Sequence, residues 1–373
     1  MKKLRTAIIG VGKVTPLHAK ALKNSIKTDF VAVCSRSLQK AAQFAQKYEV
    51  TAYDDLSTMI EQEKIDVLVI CTPHPYHAES ACIAADMGVN LLIEKPLAHS
   101  LEHADAIIRA CVKNQVKCGV VSQRRFFPAV QRMKAAIDAG KIGKPALATA
   151  QIYGWRNQQY YESDPWRGKW LTEGGGVLVN QAPHQLDIFQ WLMGPVQELF
   201  GYWDNINHPY IEVEDTAIAV LRFANGGLGN LVLSNSQKPG IYGKVHVHGE
   251  NGASIGVQTD GGAMFIAGMS EIEEVPYNDI WTIPGEENLP AQWQKEDEEL
   301  FNKVKATEYF HQLQIDDFLA AVKDDQKPLI DAEEGRKTVE IFTAIYRSQR
   351  DNSPVSFPLI AKDDNNLDGR LPF

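Results

Sequence analysis

The chain has 373 residues, 44% hydrophobic and 23% charged, which fits a folded chain of two domains and excludes a disordered one. Its net charge of −9 would repel a phosphate backbone, and no run of Lys and Arg with interleaved aromatics offsets it, so no nucleic acid partner is expected. No stretch reaches the ~20 apolar residues of a membrane span. The apolar run after Met1-Lys2-Lys3-Leu4-Arg5 breaks at Gly10 and Gly12, which argues against a secretion signal and for a cytoplasmic protein.

From the N-terminus, short apolar runs alternate with longer stretches of helical periodicity. The runs are Thr6 to Ile9, Phe30 to Cys34, Val67 to Cys71, Leu91 to Ile93 and Cys118 to Val121. Between them, Ser37 to Tyr48, His77 to Met87 and Leu101 to Val112 carry apolar residues at i, i+3, i+4. This alternation predicts parallel βαβ units and a doubly wound, Rossmann-type α/β domain over residues 1–122. After Val121 the rhythm changes. Phe127 to Ala139 reads as a helix ended by Gly140, aromatic-rich strands with glycine turns run to about residue 267, and helices follow at 183–193, 309–322 and 331–350. Residues 123–373 are therefore expected to form an α+β domain, a mostly antiparallel open sheet with helices on one face. The charged stretch Gln294 to Lys305 reads as a solvated helix or loop. Cys34, Cys71, Cys82, Cys111 and Cys118 lack paired spacing and read as reduced packing residues.

Gly10-Val11-Gly12 follows the first strand directly, and Val14 to Ser25 reads as a helix. Glycines there let backbone approach a pyrophosphate, and the helix N-terminus faces the anion with unpaired N–H groups. Lys13 and Val14 complete the expected anion site, while Thr15 stands where the dinucleotide fingerprint has its third glycine. The second strand ends Cys34-Ser35-Arg36-Ser37, with no acid to hold ribose hydroxyls. Ser35 and Arg36 suit a 2'-phosphate, which favours NADP; if Arg36 is only a solvated turn residue, NAD is the alternative.

Thr72, Pro73, His74 and His77 follow one strand end, and Glu94 and Lys95 follow the next, where open α/β sheets bind ligands. A Lys beside a positively charged nicotinamide has its pKa pushed down and suits a proton shuttle. Taken alone, Glu94-Lys95 reads better as a salt-bridged pair at a strand end. Further on, Asn180 and His184 flank Pro183 at a helix start, which keeps an imidazole neutral. Upstream lies an aromatic and polar stretch with Tyr153, Trp155, Tyr160, Tyr161, Trp166 and Arg167. Trp166-Arg167 forms a substrate wall, or else packs in the sheet or a subunit interface. Gln123 touches nicotinamide or substrate, or marks the domain junction. The pairs His99/His103 and His246/His248 lack a third ligand at zinc-like spacing, so no metal is expected.

Ala7-Ile8-Ile9-Gly10-Val11-Gly12 with His18, Cys71-Thr72-Pro73 with His77, Glu94-Lys95-Pro96, and Gly174-Gly175-Gly176-Val177-Leu178-Val179-Asn180 leading to His184 and Asp187 form a set. Together they resemble the glucose-fructose oxidoreductase, inositol dehydrogenase and MocA family over nearly the whole chain. The resemblance implies hydride transfer at a ring carbinol of a sugar, glycoside or inositol. It also implies a C-terminal sheet that forms subunit interfaces, giving a homo-dimer or homo-tetramer. Lys95 matches the family's catalytic lysine, and His184 its catalytic or substrate-orienting histidine. Asn180 departs from the aspartate of the inositol dehydrogenase branch: an amide hydrogen-bonds a hydroxyl but takes no proton. Two other readings share these features, a lyase or hydrolase that oxidises its sugar transiently on tightly held cofactor, and a ligand-sensing regulator. Retention of Lys95 and His184 argues against the regulator.

Overall fold

A computed structural model describes residues 3–260, 274–362 and 368–370, so the part of the expected strand region at 261–267 lies outside the described residues. The chain divides into two compact units, residues 1–123 with 307–336, and residues 124–306 with 337–373.

The first unit is built on six parallel strands: β1 (Leu4–Ile9), β2 (Thr28–Cys34), β3 (Thr51–Tyr53), β4 (Val67–Ile70), β5 (Asn90–Ile93) and β6 (Cys118–Val120). Their order is β3-β2-β1-β4-β5-β6, the doubly wound arrangement, with its reversal of direction between β1 and β4. All four residues of β4 are buried, as a parallel strand covered on both faces requires. The three-residue, half-exposed β3 and the helix Leu56–Glu63 left no readable period in the sequence.

Residues 307–336, which the sequence reading leaves in the second domain, group with this unit. The helix Ala306–Lys323 sends Ile315, Phe318 and Leu319 into the core that holds Ile8, Val33, Val69 and Leu92. Gly119 in β6 makes this packing possible, since a Cβ there would come within 2.6 Å of the Phe318 ring. Gln314 completes the join, donating to the Val120 carbonyl at 2.6 Å and accepting from the Ser122 amide at 2.8 Å.

The second unit carries β7 (Pro145–Tyr153), β8 (Val196–Asp204), β9 (Thr216–Phe223), β10 (Leu228–Ser234), β11 (Tyr242–Gly249), β12 (Ser254–Asp260) and β13 (Val355–Ser356). They form one sheet, ordered β12-β11-β7-β10-β9-β8-β13, antiparallel throughout except for the parallel β7–β10 pair. Alternation along β9 buries Ala217, Ala219, Leu221 and Phe223 and leaves Ile218 and Val220 more than half exposed. The helix Pro183–Met193, apolar and buried over most of its length, packs against β7 and β11. The charged stretch is the helix Leu289–Lys303, but its Asp297 is buried, held by Arg132 at 2.6 and 2.8 Å. All five cysteines are free thiols. Among the described residues, no helix is long and apolar enough to cross a membrane.

Candidate active site

In the first unit, the turn after β1 is moulded to the end of β4. Gly10 adopts φ +97°, and a Cβ on it would sit 2.7 Å from the Cys71 carbonyl and 2.9 Å from the Thr72 amide nitrogen. Thr15, in place of the third glycine, is fully buried and donates its hydroxyl to the Gly10 carbonyl at 3.1 Å. The helix Thr15–Asn24 starts after Val14 with no side chain capping its first amides. Its first turn is closed by its own backbone, since the Thr15 and Leu17 amides donate to the Gly12 and Val14 carbonyls at 3.3 and 3.0 Å and Pro16 has no N–H, so the helix start offers an anion its dipole. Thr72 Oγ1 is buried with no hydrogen-bond partner among the described residues, and so is Gln123 Oε1. The glycine cradle and the orphaned Thr72 hydroxyl fit a dinucleotide laid across this strand end.

Ser35 donates its amide to the Tyr53 carbonyl at 3.1 Å, and exposed Arg36 places its guanidinium 5.0 Å from the centre of the Tyr76 ring. His77 is fully buried, with Nε2 facing the Thr72 carbonyl at 2.9 Å and Nδ1 facing those of Pro96 at 3.1 Å and Leu97 at 3.3 Å. It is a strut between the loops that follow β4 and β5, and burial lowers its pKa. His74 packs edge-on to it, also buried.

Glu94 is buried and answered by His18, whose Nε2 lies 2.6 Å from Glu94 Oε1. The other carboxylate oxygen, Oε2, accepts the Lys95 backbone amide at 3.1 Å. Lys95 itself is half-buried. His311, from the helix Ala306–Lys323, meets the His18 ring edge-on at 5.6 Å and faces the Thr307 carbonyl through Nδ1. Burial alone would depress His18, but Cys71 and Glu94 outweigh it and raise its pKa to about 10. Burial would raise Glu94, yet His18 holds it down to about 2. The pair is therefore an imidazolium and a carboxylate. His18, Glu94 and His311 are the one set of His and acidic residues, among those described, close enough to hold a metal ion. There a metal must displace a firmly held proton.

In the second unit, the triple-glycine turn is pinned by buried Glu214, which accepts from the Gly176 amide at 2.9 and 3.0 Å and the Leu178 amide at 2.9 Å. The turn delivers Asn180, whose Nδ2 donates to Glu173 Oε1 at 2.5 Å and to Tyr160 Oη at 3.2 Å. Gln181 Nε2 at 3.0 Å and Arg167 Nη1 at 2.5 Å donate to the same hydroxyl. The Arg167 guanidinium lies over the rings of Tyr160, at 4.3 Å, and Trp166, at 4.4 Å, and pairs with Asp164 at 3.1 Å. His184 is half-buried in the first turn of the helix Pro183–Met193, where no side chain caps the helix. Asp187, three residues on, is clamped by buried Arg125 through two bonds of 2.7 and 2.8 Å. Tyr153 ends β7, its ring 5.5 Å from that of Tyr242.

Residues 4–122 match the NAD-binding Rossmann fold of an oxidoreductase family, and residues 134–357 match the C-terminal alpha/beta domain of the same family. The chain belongs to the Gfo/Idh/MocA oxidoreductases. Scyllo-inositol 2-dehydrogenase (NAD(+)) of Bacillus subtilis strain 168 is 30% identical over 258 residues, 67% of this chain and 72% of that one. D-glucoside 3-dehydrogenase of Escherichia coli K12 is 28% identical over 251 residues, 60% and 68% of the two chains. The WlbA dehydrogenase of Bordetella pertussis, solved with NADH and UDP-GlcNAcA, is 28% identical with a TM-score of 0.82, over 96% of this chain and 100% of that one.

This Gfo/Idh/MocA chain is thus an NAD-binding oxidoreductase whose relatives include sugar and inositol dehydrogenases. Glu173 and Glu214 in the second unit and His311 in the first leave little trace in the sequence. Glu173 precedes the triple glycine and looks like a helix-end acid, Glu214 lies in a polar run before β9, and His311 sits in a helix read only for its apolar period. A buried acid beside three glycines was the one available signal, because glycine N–H groups left without strand partners need an acceptor.

Proposed function

We propose that this oxidoreductase removes hydride from one ring hydroxyl of a sugar, glycoside or inositol, and returns it in the reverse direction. Gly10, Gly12, Lys13, Val14 and Thr72 hold the dinucleotide, and Ser35 with Arg36 hold a 2'-phosphate, which makes NADP the preferred cofactor. The bound nicotinamide supplies the hydride acceptor. Asp54 and Asp55, which after burial are the charges that push the Cys34 thiol up to about 11, oppose a second phosphate and make NAD the competing outcome. Lys95 takes the hydroxyl proton, while His184 and Asn180 hold the ring beside Trp166 and Arg167. The second unit binds substrate and assembles the subunits through its exposed sheet face.

The supporting observation is the chain of bonds from His18, on the helix that opens at the glycine turn, through Glu94 to the backbone of Lys95. It ties the helix after the glycine turn to the strand end that carries Lys95, which suits a hydride and a proton leaving one carbinol. A panel of sugars, glycosides and inositols assayed at 340 nm with NAD and NADP tests it. No reduction of either nicotinamide by any of them would sink the dehydrogenase reading. Substrate consumed with no net absorbance change would point instead to transient oxidation.

A further inference from the structure

Glu214 accepts three consecutive amides of the glycine-rich turn. Its carboxylate takes those of Gly176 and Leu178, and its backbone carbonyl takes that of Val177 at 3.1 Å. Glycine is required there, because a Cβ on Gly175 would collide with Oη of Tyr346, and one on Gly176 with the Glu214 carbonyl. Glu214, Tyr346 and Arg370 are all fully buried, so a carboxylate and a guanidinium share one dry region of the second unit. The Arg370 guanidinium lies 4.8 Å from the centre of the Tyr346 ring and 5.7 Å from that of Phe342, one turn earlier on the helix Ala332–Asp351. Its chain neighbours seat it. Gly369, at φ +77°, presses its backbone onto that helix, where a Cβ would lie 2.8 Å from the Arg347 amide nitrogen. Asp368 accepts from Arg347 Nε at 2.7 Å.

A buried carboxylate needs a cation within reach, and one left without it takes a proton instead. Arg347 is engaged by Asp368 and the Ile360 carbonyl, and Arg167 acts on Glu173. Burial works against the Arg370 charge, while Tyr346, Glu214 and Asp368 support it. We propose that Arg370 is a positioning residue: as the buried counter-ion of Glu214, beside the Tyr346 ring, it fixes the glycine turn that presents Asn180. This rests on the reading of Asn180 as a substrate contact. Burial raises Glu214 to about 6, with the Gly176 and Leu178 amides and the Tyr346 side chain opposing, and Glu214 in turn pushes up Glu173, the other buried acid at this turn. Glu214 thus has little margin. Once protonated, it holds its amides by neutral bonds, roughly half as strong as charged ones.

Hydrogen exchange of the full chain, followed on the peptide spanning residues 174–180, tests the turn directly. Arg370→Met keeps much of the buried bulk and removes the cation. Exchange of that peptide should speed about tenfold, the weakening of about one hydrogen bond, while β10 and β11 exchange as in wild type. Adding Glu214→Gln removes the unmatched charge. Because Oε1 alone accepts from both Gly176 and Leu178, the amide side chain can keep those bonds. The double variant should therefore return exchange to within a few-fold of wild type, a recovery that a mere packing role for Arg370 would not give. An unchanged peptide in folded Arg370→Met, or a double variant as loose as the single, overturns the inference. If Arg370→Met does not fold, thermal melting of the double variant decides: a regained cooperative melt supports the counter-ion, and none overturns it. In turnover with a sugar from the panel, Arg370→Met should raise KM about tenfold and leave kcat and cofactor affinity within a few-fold. A KM unmoved by a loosened turn removes Asn180 from the substrate, and absence of turnover with every sugar removes the dehydrogenase reading. In both cases the exchange arm still decides the role of Arg370.

Discussion

His18 and Glu94 form a buried ion pair at 2.6 Å that joins the first helix of the Rossmann unit to the strand end carrying Lys95. Removing one partner of such a pair leaves an unmatched charge in a dry site. His18→Ala should therefore cost about 3–5 kcal/mol in urea unfolding, against far less for the double variant with Glu94→Gln. Equal losses in the single and double variants would show that the pair is not coupled.

The same pair makes stability depend on pH, with the sign fixed by the shifts. His18 is raised from 6.5 to about 10, so its contribution is complete below pH 6.5 and drains away as pH climbs toward 10. Glu94 is lowered from 4.5 to about 2, so its contribution is complete above pH 4.5 and is lost on acidification toward 2. His311 is depressed to about 4 by burial and by the His18 charge, which adds a loss between pH 6.5 and 4. Melting temperature should peak near pH 6.5 and decline on both sides. In His18→Ala the alkaline decline should shrink; an unchanged alkaline limb would assign it elsewhere.

Lys95→Met should lower kcat by about 10²- to 10⁴-fold, the usual worth of a positioned proton acceptor, with cofactor affinity measured by fluorescence titration within a few-fold of wild type. Near-normal turnover would take the proton-transfer role away from Lys95.

Arg36→Ala should cut kcat/KM for NADP by about one to two orders of magnitude, the loss of a charge-assisted bond to phosphate, and leave NAD almost untouched. If wild type prefers NAD and the variant does not alter the ratio, Arg36 belongs to the Tyr76 ring alone.

Leu147, Tyr202, Ile218, Val220 and Leu228 are each between 45% and 57% exposed, across four strands of the second sheet. A contiguous apolar face of this kind suits a subunit interface. Light scattering of Val220→Asp should report monomer where wild type gives dimer or tetramer. A wild-type monomer at micromolar concentration would end the assembly proposal.

Much of the fold and part of the candidate site could be read locally. Strand and helix periods are set by which side of each element is buried, so the Rossmann alternation and the helix at 183–193 appeared directly in the order of apolar residues. Gly10, Thr72, Lys95, Asn180 and His184 stand in short motifs whose spacing survives without knowledge of the contacts. The three-residue β3, the placement of residues 307–336 with the first unit, and the partners of the polar groups had no such local trace. Glu94 could have paired with Lys95 beside it in sequence. It pairs with His18, 76 residues away, because burial penalises any carboxylate without a nearby cation. In sequence Asn180 reads as a weakened aspartate; in the fold its amide donates to Glu173. Sequence order determined the elements and the motif residues; only the tertiary structure decided the charges and hydrogen-bond orientations of those residues, since long-range burial sets both.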